Sequence, residues 1–311
     1  MPAIEVEDLC KRYADNRAVD GLSFTVEPGE VYALLGENGA GKTTTVEILE
    51  GLRPPTSGRV RVLDVDPAIG GREFRDRIGI VLQSSGVESE FTVREVIELY
   101  ASAYRQRRGV SELVDLVGLE DKVDDRVGSL SGGQKRRIDL ALGLVGTPEL
   151  LFLDEPTTGF DPAARRRFWE LIESLGADGT TVLLTTHYLD EAEHLADRVG
   201  VLSNGRMIAE GSPAQLRERT SGTSISFLAP GSVAHDEIAA TFGELLGARP
   251  RISGRLVEAS VAQPTMVVHR LSGWALDNGV ELESLTVSRA SLEDVYLGLT
   301  APDGEPPEPP A

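Results

Sequence analysis

Nine consecutive residues carry the densest chemistry in this chain: Gly36, Glu37, Asn38, Gly39, Ala40, Gly41, Lys42, Thr43 and Thr44. Glycines followed at once by a lysine and hydroxyls suit one task, the gripping of phosphate. Glycine backbone can aim successive N–H groups at one anion, and a helix starting there adds its partial positive charge. Lys42 then supplies a point charge for the outer phosphates of a nucleoside triphosphate, and the Thr43 hydroxyl a ligand for Mg²⁺. The run fits G-x-x-x-x-G-K-[ST], and it stands where that chemistry needs it, between the apolar residues 31–35 and a helical pattern. Adenine needs a separate platform. Tyr13, expected in a loop after the first strand, is suited to stack on the base.

A second group is acidic. Residues 150–153 are apolar and read as a buried strand, and Asp154 and Glu155 follow directly. In a parallel sheet covered on both faces, the carboxyl end of such a strand opens onto the ligand crevice. Asp154 is expected to hold Mg²⁺, directly or through water, and Glu155 to orient or deprotonate the attacking water. A third group is Leu130, Ser131, Gly132, Gly133 and Gln134, followed by Lys135, Arg136 and Arg137. Ser131 and two glycines open a helix running to about Val145, so a hydroxyl and free N–H groups again face an anion.

These groups need elements to hold them. Residues 4–9, 22–26, 31–35, 60–63, 78–82, 150–153, 182–185 and 198–202 read as strands, several leading directly into helices, as α/β units with a largely parallel sheet require. Asn204 and Gly205 signal a hairpin into residues 206–209. After Arg219 the pattern becomes strand 225–228, helix 236–246, strands at 251 and 255–262, helix 266–278, strand 282–288 and helix 292–299. That β-α-β-β-α-β order suggests a small ferredoxin-like accessory domain. The proline-rich residues 301–311 read as a disordered tail.

Composition narrows the function. The 311 residues include 31 Lys and Arg against 50 Asp and Glu, for a net charge of −19. So acidic a surface repels phosphate backbones, and no nucleic-acid partner is expected. With Cys10 as the single cysteine, no internal disulfide or thiolate metal cage can form. Neither a signal peptide nor a run of 18 apolar residues is evident, so a membrane would be reached through a partner protein.

The Ser131 segment, taken with the order Lys42, Gln83, Ser131, Asp154 with Glu155, Asp161 and His187, resembles the ATP-binding cassette (ABC) ATPases over residues 3 to about 215. The resemblance implies a P-loop NTPase cassette: a mixed, largely parallel sheet within residues 1–219, with a helical subdomain at about 84–146. An α+β domain follows at about 220–300. It further implies two copies closing head to tail, each ATP lying between the phosphate loop of one and Ser131, Gly132, Gly133 and Gln134 of the other. Gln83 matches the glutamine that senses Mg²⁺ and water, His187 the switch histidine at the γ-phosphate, and Asp161 the dimer-loop acid, with Phe160 in place of the usual leucine.

Residues 291–297 resemble the end of drug-resistance ABC ATPases of the daunorubicin/doxorubicin exporter type, in the ABC-2 class. The resemblance implies an ATPase at the cytoplasmic face of the membrane, bound to integral permease subunits encoded separately and powering export. A groove for those subunits is expected near Gln83 and residues 91–104, with Phe91, Val93, Val96, Ile97, Leu99 and Tyr100 as apolar surface. A soluble ABC ATPase acting on ribosomes or chromosomes is the alternative. Those carry two cassettes or a long coiled-coil insertion, and this chain has one cassette and a compact stretch between Lys42 and Ser131.

Overall fold

The computed structural model describes residues 1–14, 16–81, 86, 89–219, 223–231, 233, 237–289 and 292–300. The chain divides into two compact units, Met1–Ser212 and Pro213–Ala311. Gln83 and the residues 301–311 lie outside the described residues.

In the first unit, β1 (Ile4–Tyr13) and β2 (Asn16–Val26) form an antiparallel hairpin. After these come β3 (Val31–Leu35), α1 (Lys42–Leu49), β4 (Ser57–Val62), α2 (Gly71–Arg75) and β5 (Ile78–Val81). Three helices follow, α3 (Val93–Ala101), α4 (Val110–Leu116) and α5 (Gly132–Leu144). Then β6 (Leu150–Asp154), α6 (Pro162–Ala177), β7 (Thr181–Thr186), α7 (Leu189–Leu195), β8 (Arg198–Ser203) and β9 (Arg206–Gly211) complete the unit.

Two sheets result. The larger has the order β5-β6-β7-β3-β8-β9 and is parallel except at β8–β9. Every residue of β3, β6 and β7 is buried, which accounts for their apolar and threonine character, interrupted only by Asp154 at the end of β6. The smaller sheet, β2-β1-β4, is antiparallel. Between the sheets, Ile4, Leu9, Leu22, Tyr32, Leu34, Ile48, Leu49 and Phe152 form one buried cluster. Each such side chain contributes about 1.5–3 kcal/mol by leaving water. Ile48 and Leu49 belong to α1, so the core fixes the helix that begins at Lys42.

The helices α3 and α4 pack on α5, and α5 packs on β5. Close approach sets the last contact: a Cβ on Gly143 of α5 would stand 2.8 Å from Val81 Cγ2 of β5, and one on Gly79 of β5 would strike the Gly143 carbonyl. Only hydrogen fits at either position.

Two sequence readings are corrected. Tyr13 ends β1 rather than lying in a loop beyond it, because the hairpin pairs on to Tyr13–Asn16 through register shifts, with Ala14 at φ +50°. Within the expected apolar surface, Val93, Val96 and Ile97 form the buried face of α3, while Phe91, Leu99 and Tyr100 stay exposed. Period-3.6 spacing cannot by itself tell which apolar stripe of a helix faces the core.

The second unit contains α8 (Pro213–Arg219), β10 (Thr223–Leu228), α9 (Ile238–Leu246), β11 (Arg251–Ser253) and β12 (Leu256–Val261). It closes with α10 (Pro264–Asp277), β13 (Glu283–Arg289) and α11 (Leu292–Thr300). Its sheet is antiparallel in the order β11-β12-β10-β13, with Phe227, Phe242, Val257 and Leu271 at the centre of the core. No helix among the described residues is long and apolar enough to cross a membrane.

Candidate nucleotide site

Where β3 ends, the chain turns through Gly36–Gly41 and enters α1. Gly39 and Gly41 have φ of +86° and +105°, a region costly for residues with a Cβ. At Gly41 a Cβ would also strike the Ala18 carbonyl. The same left-handed glycine is the N-cap of α1 and offers no side-chain cap, so the first N–H groups of the helix remain directed at the cleft. An open cleft of about 460 Å³ is lined by Tyr13, Asn16, Ala18, Glu37, Asn38, Gly39, Gly41, Lys42, Thr43, Thr44 and Glu155. Gly36 and Ala40 are buried behind it.

Lys42 is buried and bonds the Gly36 carbonyl at 2.6 Å and the Glu37 carbonyl at 3.2 Å, while Glu155 Oε1 lies 3.6 Å from its Nζ. Burial pulls its ammonium below the ordinary lysine value, and the Glu155 carboxylate opposes that pull. A cation so placed gains most from an incoming phosphate, which adds negative charge where solvent screening is weak.

The Asp154 carboxylate is held between two hydroxyls. Oδ1 accepts from Thr185 Oγ1 at 2.5 Å, and Oδ2 accepts from Thr43 Oγ1 at 3.4 Å. Parallel pairing of β6 with β7 sets Asp154 beside Thr185, and β3–α1 brings Thr43 across. A hydroxyl and a carboxylate converging beside a phosphate cradle are hard oxygen donors of the kind Mg²⁺ prefers, so the donor set fits that ion.

Glu155 follows at φ +44°, a left-handed conformation that is uncommon for a residue with a Cβ. Its N–H donates to the Thr185 carbonyl and to Thr185 Oγ1, both at 3.1 Å. Its Oε1 lies 3.2 Å from Nδ1 of His187, at an angle that forms no hydrogen bond, and Oε2 accepts from Thr158 Oγ1 at 3.4 Å. His187 packs against Tyr188 with the rings tilted by 40° and their centroids 4.1 Å apart. The Tyr13 ring, which also lines the cleft, is flanked by Lys11 Nζ at 5.3 Å and Arg53 Cζ at 5.7 Å. Lys11 is tied to the Pro54 carbonyl and Arg53 to Glu47.

The Ser131 group does not line this cleft. Ser131 caps α5: its Oγ accepts from the Gln134 N–H at 3.3 Å, and Gln134 Oε1 accepts from the Ser131 N–H at 2.9 Å. The reciprocal box leaves Gly132 and Gly133 N–H groups at the helix start. Asp161 caps α6, accepting from the Ala163 and Ala164 N–H groups at 2.9 Å each, and these bonds hold its carboxyl below the usual range. Two residues received no role of their own from the sequence, Thr185 and Arg136, the latter met only in the basic run after Gln134. Both act through partners far along the chain.

The ABC transporter family matches residues 19–158, and the C-terminal domain of ABC transporter domain-containing-like proteins matches 223–291. Nod factor export ATP-binding protein I of Burkholderia pseudomallei (strain 1710b) is 43% identical over 303 residues, covering 96% of each chain. Daunorubicin resistance ATP-binding protein DrrA2 of Streptomyces coeruleorubidus is 38% identical over 305 residues, covering 96% of this chain and 95% of that one. A bacterial ABC transporter cassette, MJ0796, solved as a dimer, superposes with a TM-score of 0.60 at 25% identity, over 67% of this chain and 98% of its own. The fold, the phosphate cradle and these matches agree, and the chain belongs to the ABC transporter ATP-binding proteins. Its cassette is that of an ATPase.

Proposed function

We propose that this chain is the ATP-hydrolysing subunit of an exporter, driving a drug or another metabolite through membrane subunits carried on separate chains. The observation that carries the reading is that Lys42, Thr43 and Glu155 line one cleft together with Tyr13, and that Asp154 meets Thr43 beside it. Two relatives named as export and resistance ATP-binding proteins, similar over nearly the whole chain, support the transport half.

In this reading Tyr13 stacks on adenine, and Gly36 to Thr44 wrap the phosphates, with Glu37, Asn38, Gly39, Ala40 and Gly41 presenting backbone N–H groups. Lys42 exchanges its loop carbonyls for phosphate oxygens. Thr43 and Asp154 hold Mg²⁺, with Gln83 as a further ligand, and the ion supplies charge neutralisation at the phosphates. Glu155 takes the proton of the attacking water, and His187, beside it, reaches the γ-phosphate. Ser131, Gly132, Gly133 and Gln134 of a second copy close over the same ATP, with Asp161 at the loop between copies. Binding and dimerisation are then one equilibrium, and hydrolysis removes the contact that favours the closed state. The exposed Phe91, Leu99 and Tyr100 are the surface offered to a permease at the cytoplasmic face of the membrane.

The test is ATP turnover of Glu155→Gln in the full chain. The expected loss is about 10²–10⁴-fold, with ATP still bound. Turnover at the parental rate would remove Glu155 from the role of base.

A further inference from the structure

Arg136 lies one turn into α5, 7% exposed, on a helix whose first residues belong to the Ser131 group. Its guanidinium crosses to the end of β6. Nη2 donates to the Asp154 carbonyl at 3.0 Å and Nε to the Pro156 carbonyl at 2.9 Å. Those are the carbonyls immediately before and after Glu155. Nη1 lies 3.8 Å from Asp139 Oδ2 on the same helix, so the charge is balanced in its buried setting.

Glu155 itself is left-handed at φ +44°, a conformation a residue with a Cβ keeps only where its surroundings over-determine it. Thr185 grips the Glu155 N–H from β7. Arg136 grips the two flanking carbonyls from α5. A rigid planar fork can hold two carbonyls in a fixed relation, and a single ammonium cannot.

We infer that Arg136 is a positioning residue for hydrolysis: it fixes the backbone on both sides of Glu155 and ties the direction of that carboxylate to the seating of α5. The helix that caps one ATP through Ser131 thereby aligns the acid serving the other, within the same chain. The inference rests on the reading of Glu155 as the base and adds the residue that aims it.

The test compares Arg136→Lys and Arg136→Met in the full-length chain. Arg136→Lys should lower kcat about 10-fold and Arg136→Met about 100-fold, since misplacing a reacting group by about 1 Å costs on that order. The KM for ATP should stay within about 3-fold of the parent, because the phosphate loop takes no part in these bonds. Amides of Asp154, Glu155, Thr157 and Thr158 should exchange with solvent faster in Arg136→Lys while those of α1 do not change. Should Arg136→Met fail to fold, Arg136→Lys and its exchange pattern decide alone. Parental kcat in Arg136→Lys, a loss carried by KM, or accelerated exchange throughout the unit would overturn the assignment. Glu155→Gln separates the two readings: if it is inactive while Arg136→Lys turns over normally, only the positioning role fails. If Glu155→Gln turns over normally, the base itself is misassigned.

Discussion

Thr185 Oγ1 donates to Asp154 Oδ1 at 2.5 Å and leaves the other carboxylate oxygen facing Thr43. The two residues are register neighbours on adjacent parallel strands, so backbone pairing places the hydroxyl, and the hydroxyl then turns the carboxylate. Thr185→Val keeps the shape and removes that donor. A hydrogen bond to a charged group is worth about 1.5–3 kcal/mol. The variant is expected to need more Mg²⁺ for half-maximal turnover and to lose about 10-fold in kcat. An unchanged Mg²⁺ titration would show that Asp154 needs no such orientation.

Tyr13 reaches the cleft with its ring already held by two cations, Lys11 and Arg53. Base–aromatic stacking is worth about 1–3 kcal/mol. Tyr13→Ala should therefore raise the KM for ATP about 10-fold and leave kcat within about 2-fold, whereas Tyr13→Phe or Tyr13→Trp should retain binding. Steady-state kinetics across the three variants checks this; an Ala variant with parental KM would exclude the platform.

Glu50, next to α1 and 4% exposed, has its pKa pushed up to about 8 by burial, with the Asp154 and Glu47 charges adding to it. Between pH 4.5 and about 8 the folded chain keeps a proton that the unfolded chain has released. Stability therefore falls as pH rises through that window, and the loss is complete above it. Glu50→Gln should match the parent near pH 4.5 and melt several degrees higher at pH 9. Thermal unfolding at the two pH values measures this, and an offset equal at both would contradict it.

Much of the site was legible because it is contiguous. The phosphate loop declares itself in nine residues, and the apolar run before Asp154 and Glu155 already places both acids at a strand end. What stayed hidden is what the fold brings together. Thr185 meets Asp154 across 31 residues through strand register, and Arg136 meets the Asp154 carbonyl across 18 through the packing of α5 on the sheet. A backbone carbonyl as partner leaves no trace in residue type. The split of the strands into two sheets also stayed hidden, since which strand pairs with which is set by the fold and not by the composition of any one strand. Tyr13 was placed one step too late in the hairpin, because the polar Asn16 and Arg17 look like loop while their backbone continues the ladder.

The central claim is that one ATP is clamped by two copies of this chain, between the glycine turn that ends at Lys42 and the helix capped by Ser131. Sedimentation of Glu155→Gln measures it most directly, with and without ATP, beside the same chain carrying Ser131→Arg. The account predicts a two-copy species that forms with ATP, disperses on its removal and is absent in the double variant. A chain that binds ATP at saturation and sediments as a single copy, or a dimer indifferent to both ATP and Ser131, would contradict it.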